Sequence, residues 1–167
     1  MEPLASTSPR ARRESPTLPL GGVGRIPPQA IELEEAVLGA LLIDRDALSK
    51  VVDILAAESF YVEAHQNIFE AVTHLFGESD PIDILTVAQR LRKEGKLDKV
   101  GGEAKLIGLS TRVSSSAHIE FHARIVVQKH IQRELIRISN EMIEEAYDET
   151  NDVLELLDKA EQNLFNV

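Results

Sequence analysis

Apolar residues along the chain recur mostly at spacings of three and four, the repeat of an amphipathic helix. The stretch that follows Pro27 and Pro28 sets Leu33, Val37, Leu38, Leu41 and Leu42 on one broad face. Both prolines fit the first turn of that helix, where a missing N–H costs nothing. Glu32, Glu34 and Glu35 lie near the positive end of its dipole. Ala36, Gly39 and Ala40 are small, so a neighbouring backbone can come close. Asp44 to Asp46 reads as a turn, with Asp46 as the cap of a second helix ending near Leu55. A third helix fits "HQNIFEAVTHLF", with Ile68, Phe69, Val72 and Phe76 as its stripe, and "GESDP" breaks it. Asp83 opens a fourth over "ILTVAQRLRKEG", closed by Gly95. A short fifth covers Glu103 to Ser110, and "TRVSSS" links it to, and caps, a long helix beginning near His118. The segments "DKV" and "STRV" are too short for strands.

The chain ends in a helical hairpin, the long helix returning through "DETND" into a second striped by Val153, Leu156, Leu157, Ala160 and Leu164. On a wheel of about 100° per residue, Val127, Ile131, Leu135, Ile138, Met142 and Ala146 share one arc, a normal buried stripe. Ile125, Ile136 and Ile143 fall together beyond it, and Lys129, Arg133, Arg137, Asn140, Glu141 and Glu144 fill the opposite side. The apolar side is close to a half cylinder, more than one returning helix can cover. The surplus is expected to lie on another copy of the hairpin or on another protein, because the far end cannot reach the rest of the molecule. Ile125, Ile136, Ile143, Val153, Leu157 and Leu164 are the candidate self-association residues. The expected fold is all-α: a tail over 1–26, disordered for lack of any periodicity, a head of about five short helices over 27–112, and the hairpin over 113–167.

Composition narrows the function. The formal charge of −10 makes the chain a poor stand-alone DNA binder. With no Trp, two Tyr and five Phe, it offers little for stacking bases. Weak single-strand binding at physiological salt is expected. There is no cysteine for a disulfide, thiolate site or thiol nucleophile. No apolar run approaches the ~18 residues of a membrane span, and no signal peptide is visible. The expectation is a cytoplasmic protein without a membrane partner.

Motifs that carry chemistry are incomplete. Gly95-Lys96 is followed by Leu97, and Arg90 stands where a phosphate-binding loop needs its first glycine. "GGVGRIP" lacks a preceding strand and has Pro27 at the third glycine position. His118 and His122 have a metal-binding spacing, but Ile119 replaces the glutamate of the zinc-protease pattern and no third ligand is evident. "RLRKEGK" is a short basic patch that complements a helix end. Arg10, Arg12 and Arg13 read as part of a solvated tail, with contact to an acidic partner as the lesser alternative. No carboxylate is set in a buried apolar environment suited to acid catalysis. No catalytic, cofactor or metal site is assigned, and ATP turnover is not expected.

Five ordered segments, "PPQAIELEEAVLG", "SFYVEAHQNIF", "PIDILTVAQRL", "LDKVGGEAKLIGL" and "HARIVVQKHIQRELI", resemble the N-terminal domain of the DnaB family of bacterial replicative DNA helicases. The resemblance runs from about Ile26 to the end and does not reach the family's RecA-like ATPase domain, which carries ATP, Mg and the DNA-binding loops. It implies an all-α head with a hairpin, and homo-oligomers from dimer to hexamer built as a trimer of dimers. It implies docking of the C-terminal domain of DNA primase, with Glu32, Lys105, Ile136 and Met142 matching the contact surface. It also implies that DNA is engaged only through the full-length assembly. Lys105 and His122 depart from the family pattern, in which Tyr is common at both places. The alternative is a free-standing all-α adaptor that binds a replication partner without a motor.

Overall fold

The computed structural model describes residues 24–44 and 46–167. Most of the tail expected over 1–26, including Arg10, Arg12 and Arg13, lies outside the described residues. Among these there are six α-helices and no strand.

Helix α1 (Ile31–Ile43) is the centre of the head. Val37, Leu38, Ala40, Leu41 and Leu42 are all buried, as expected of a helix that is apolar nearly all round. Its first turn begins where the Ala30 carbonyl accepts the Leu33 and Glu34 N–H groups, so Pro27 and Pro28 precede the helix instead of opening it. The expected second helix is absent. In its place stand a 3-10 turn (Leu48–Lys50) and further single turns, and Asp46 receives the Ser49 hydroxyl on its carbonyl without capping anything. Ala47, Leu48, Val51 and Leu55 are nonetheless buried. A second 3-10 turn spans Ala57–Ser59. Among the described residues the head therefore has four α-helices and two 3-10 turns, where about five short helices were expected.

Helix α2 (Glu63–Gly77) buries Ile68, Phe69, Ala71, Val72 and Leu75. Phe76, expected in its stripe, is exposed, and Leu75 takes the inward position. The Phe60 and Phe69 rings meet at 5.1 Å between centroids. Helix α3 (Ile84–Lys93) opens on a reciprocal cap. Asp83 Oδ1 accepts from the Thr86 N–H at 2.9 Å, and Thr86 Oγ1 accepts from the Asp83 N–H at 3.0 Å. Gly95, at φ +69°, supplies the left-handed residue that ends it. Helix α4 (Gly102–Thr111) lies across α1 at Gly39, where a Cβ would come within 2.3 Å of the Leu109 carbonyl oxygen. That close crossing is what the small residues of α1 provide for.

Helix α5 (Ile119–Tyr147) is about 43 Å long at 1.5 Å per residue. Its first turns bury Ile119, Ala123 and Val126 in the head's own core, so the head does not end at residue 112. No side chain caps it. Ser116 instead donates its hydroxyl to the Asp44 carboxylate, and its carbonyl accepts the Ile119 N–H. Past Asp148–Asn151 the chain turns back into α6 (Val153–Phe165), opened by Asp152 Oδ1 accepting from the Leu154 N–H at 2.7 Å. At about 20 Å, α6 spans less than half of α5.

Candidate protein interaction surface

The surface of interest is built where the head meets the hairpin. Glu34, in the first turn of α1, is 1% exposed. Its Oε1 accepts the Tyr61 N–H at 2.7 Å, and His65 Nδ1 lies 2.8 Å from Oε2, where an Nδ1–H tautomer donates to it. Glu34 is thus a buried carboxylate held by hydrogen bonds to both of its oxygens. The pair fixes the Phe60–Val62 loop, and with it Tyr61, at the edge of the head. Across from Tyr61, the Arg133 guanidinium donates to the Pro28 carbonyl at 3.0 Å and to the Ser59 carbonyl at 2.8 Å, and lies 5.5 Å from the Tyr61 ring centroid. Arg133, assigned by periodicity to a solvated face, instead fastens α5 to the head.

Beyond that fastening lies a groove of about 770 Å³. One wall is the segment Arg25–Pro28 with Tyr61. The other is α5, through Leu135, Ile136, Ser139 and Ile143. Ile136 and Ile143 are 47% and 41% exposed, and Leu135, expected in the buried stripe, is also exposed. Of that stripe Ile138 is fully buried, Val127, Ile131 and Met142 are half-buried and Ala146 is exposed. Ile125 is half-buried.

The other side of the distal α5 belongs to α6. Ala160 and Ile138 are buried there, and Lys159 pairs with Glu145. That leaves Val153, Leu157 and Leu164 exposed, Leu157 at 61%, beside Leu154 and Phe165. Leu154 and Phe165 fall outside the three-and-four spacing of the stripe, so periodicity passes over them.

The four candidate docking residues do not converge in one cavity. Ile136 lines the groove, whereas Glu32 lies exposed at the start of α1 and Met142 is half-buried on α5. Lys105 donates to Glu35 Oε1 at 2.7 Å, and Arg112 binds the other oxygen. The Lys105 hydrogen bond holds the Glu35 carboxyl below its ordinary 4.5, helped by Arg112 and opposed by burial.

The remaining motifs are occupied locally. In "RLRKEGK", Arg90 binds Glu78 and Glu94, Arg92 binds Glu103, and Lys96 Nζ lies 2.7 Å from Glu70. Lys96 is thus tied to a carboxylate. The His118 and His122 rings are 6.4 Å apart, and no group of three or more metal-ligating side chains occurs among the described residues. No helix among them is long and apolar enough to cross a membrane.

An all-helical head thus carries a helical hairpin with apolar surface exposed on two sides. The family model described as "DnaB-like helicase N terminal domain" matches residues 26–128, and the chain belongs to that family. It is 44% identical over 144 residues to the replicative DNA helicase DnaB of Rhodothermus marinus, covering 86% of this chain and 15% of that protein. It is 38% identical over 143 residues to DnaB of Geobacillus stearothermophilus, covering 86% of this chain and 32% of that one. The chain thus spans less than a third of these relatives. The crystal structure of the N-terminal domain of DnaB helicase from Mycobacterium tuberculosis superposes with a TM-score of 0.81 at 34% identity, covering 85% of this chain and all of that one. A DnaB-like replicative helicase, whose structure was described with its interactions with primase, shares the fold at a TM-score of 0.69 and 24% identity, over 82% of this chain and 31% of that one.

Proposed function

We propose that this chain is the assembly and primase-docking domain of a cytoplasmic replicative DNA helicase that unwinds DNA at the replication fork. The observation that carries the reading is the uncovered apolar surface of the hairpin. Ile136 and Ile143 face one side and Val153, Leu157 and Leu164 another, and nothing among the described residues covers them. Pairing with a second hairpin of the same kind buries a strip of matching length, and pairing head to head as well as hairpin to hairpin builds a trimer-of-dimers hexamer. Glu32, Lys105, Ile136 and Met142 are the proposed contacts for the C-terminal domain of primase. Lys105 brings its Glu35 ion pair to that surface, so the docking chemistry there is ionic. ATP and Mg belong to the motor domain of the parent protein, and DNA is held by the full assembly.

The test is the double variant Ile136→Glu with Ile143→Glu. Both positions are exposed in the single chain, so helical circular dichroism should not change. Sedimentation should show loss of association, because two carboxylates would enter a buried apolar centre. A variant that keeps wild-type oligomers and still binds primase would refute the proposal.

A further inference from the structure

We propose that the groove between Tyr61 and α5 takes an acidic amphipathic helix of a partner protein. Its carboxylates meet Arg133 and Arg25, and its aliphatic stripe lies on Ile136 and Ile143. The inference deepens the proposed function and rests on its reading of the distal α5 as a docking surface. What it adds is the chemistry of the occupant.

The placement of the arginines carries it. Among the described residues Arg90, Arg92, Arg112, Arg124 and Arg137 each pair with a carboxylate. Arg25 and Arg133 have no carboxylate partner among them, and both line this groove. Arg137 lines it too, but Glu134 and Glu141 neutralise its charge. Arg133 is half-buried, and it directs two of the five N–H donors of a guanidinium at the carbonyls of Pro28 and Ser59. Those acceptors are neutral, so the charge stays uncancelled beside an apolar wall. Arg25 is three residues from the Pro28 carbonyl, within about 10 Å along the chain. In a chain of formal charge −10, two such arginines beside Ile26, Ile136 and Ile143 are a local exception that carboxylates satisfy.

The backbone of the walls decides which kind of segment fits. An extended peptide binds by adding to a strand edge through main-chain hydrogen bonds. The Arg25–Pro28 wall offers no such edge, because Pro27 and Pro28 lack an N–H and Arg133 already holds the Pro28 carbonyl. On the other wall the main-chain groups of α5 bond within their own helix. A helix needs no main-chain partner and packs through side chains at spacings of three and four. From Arg133 to Ile143 α5 rises about 15 Å, the length of about three turns of an incoming helix. With Arg133 at the head end, the carboxylates of that helix lie toward the head and its aliphatic residues toward the tip.

Fluorescence anisotropy on the full chain tests this with two labelled, lactam-bridged helical peptides. Both carry leucines at spacings of three and four. One has glutamates in its terminal turn, and the other has lysines at the same places. The acidic probe should bind at least about tenfold more tightly at low salt, and the ratio should shrink as salt is added. The net charge of the chain works in the opposite direction, so such a preference comes from the groove. Arg25→Glu breaks no contact among the described residues. It should weaken the acidic probe by about fivefold or more and strengthen the lysine probe, whereas Arg92→Glu on α3 should change either by less than about twofold. Equal binding of the two probes, binding of neither, or an Arg25→Glu effect no larger than that of Arg92→Glu would overturn the proposal. Loss of self-association in Arg25→Glu, with the acidic probe still bound as before, would give the groove to a second copy and overturn it too.

The variant Ile136→Glu with Ile143→Glu separates this inference from the reading beneath it. If that variant keeps its oligomers and its primase binding while the unaltered chain prefers the acidic probe, the docking reading fails and the preference of the groove stands. If it loses both while the unaltered chain binds the two probes alike, the docking reading stands and this inference fails.

Discussion

In the head, Leu38, Leu41, Phe60, Phe69 and Leu106 are shielded from several directions, because α2, α4 and the start of α5 all converge on α1. Along the distal half of α5 the returning helix α6 shields one side and leaves the isoleucines of the other side open. Both regions use the same aliphatic side chains. The difference lies in how many neighbours each helix has, and it separates residues that hold the fold from residues free to join another surface.

The largest expected effect is therefore in the head. Phe69→Ala should cost about 3–5 kcal/mol by loss of packing and the cavity left behind, and denaturant unfolding would measure it. Leu157→Ala in the single chain should change stability by less than about 0.5 kcal/mol. Comparable losses at the two sites would erase the distinction between closed head and open hairpin. Gly39→Ala comes next, at about 1–3 kcal/mol, because the new methyl must push away a backbone carbonyl that cannot rotate aside. A neutral result would mean that α1 and α4 are not held as closely as the crossing at Leu109 shows.

The smallest effect is the pH dependence of Glu35. Its carboxyl is held below the ordinary 4.5, chiefly by the Lys105 hydrogen bond. A depressed carboxylate stabilises the folded state above its unfolded pKa, and that contribution is lost as pH falls through the folded one. The stability gap between wild type and Glu35→Gln should be present at about pH 6 and shrink toward about pH 3. A gap that does not narrow on acidification would show that the ion pair with Lys105 and Arg112 does not stabilise the head.

Much of this contrast can be read in the residues. Asp83 and Gly95 mark the two ends of α3 through local capping chemistry, and the small residues of α1 anticipate the α4 crossing. What sequence hides is where a helix changes neighbours. Ile119, Ala123 and Val126 lie on the same side of α5 as Lys129 and Arg133, so that side averages to polar although its first turns are core. The stretch from Ala47 to Leu55 has helical spacing, yet successive tight turns bury the same positions as well as a helix does. Glu34 reads as an acid favoured by a helix dipole, because His65 is 31 residues away and no local pattern joins them. The groove is harder still, since its walls are separated by about a hundred residues of sequence.

The grip of Arg133 on Pro28 and Ser59 also gives α5 a mechanical character. From Arg133 the helix runs on to Tyr147, a rigid arm of about 21 Å. A tilt of about 5° at that pivot swings the tip through about 2 Å. Whatever binds the outer arm therefore works against two backbone carbonyls of the head with the advantage of a lever. A small rotation of the head is magnified in turn into a displacement at the tip that a bound partner can sense.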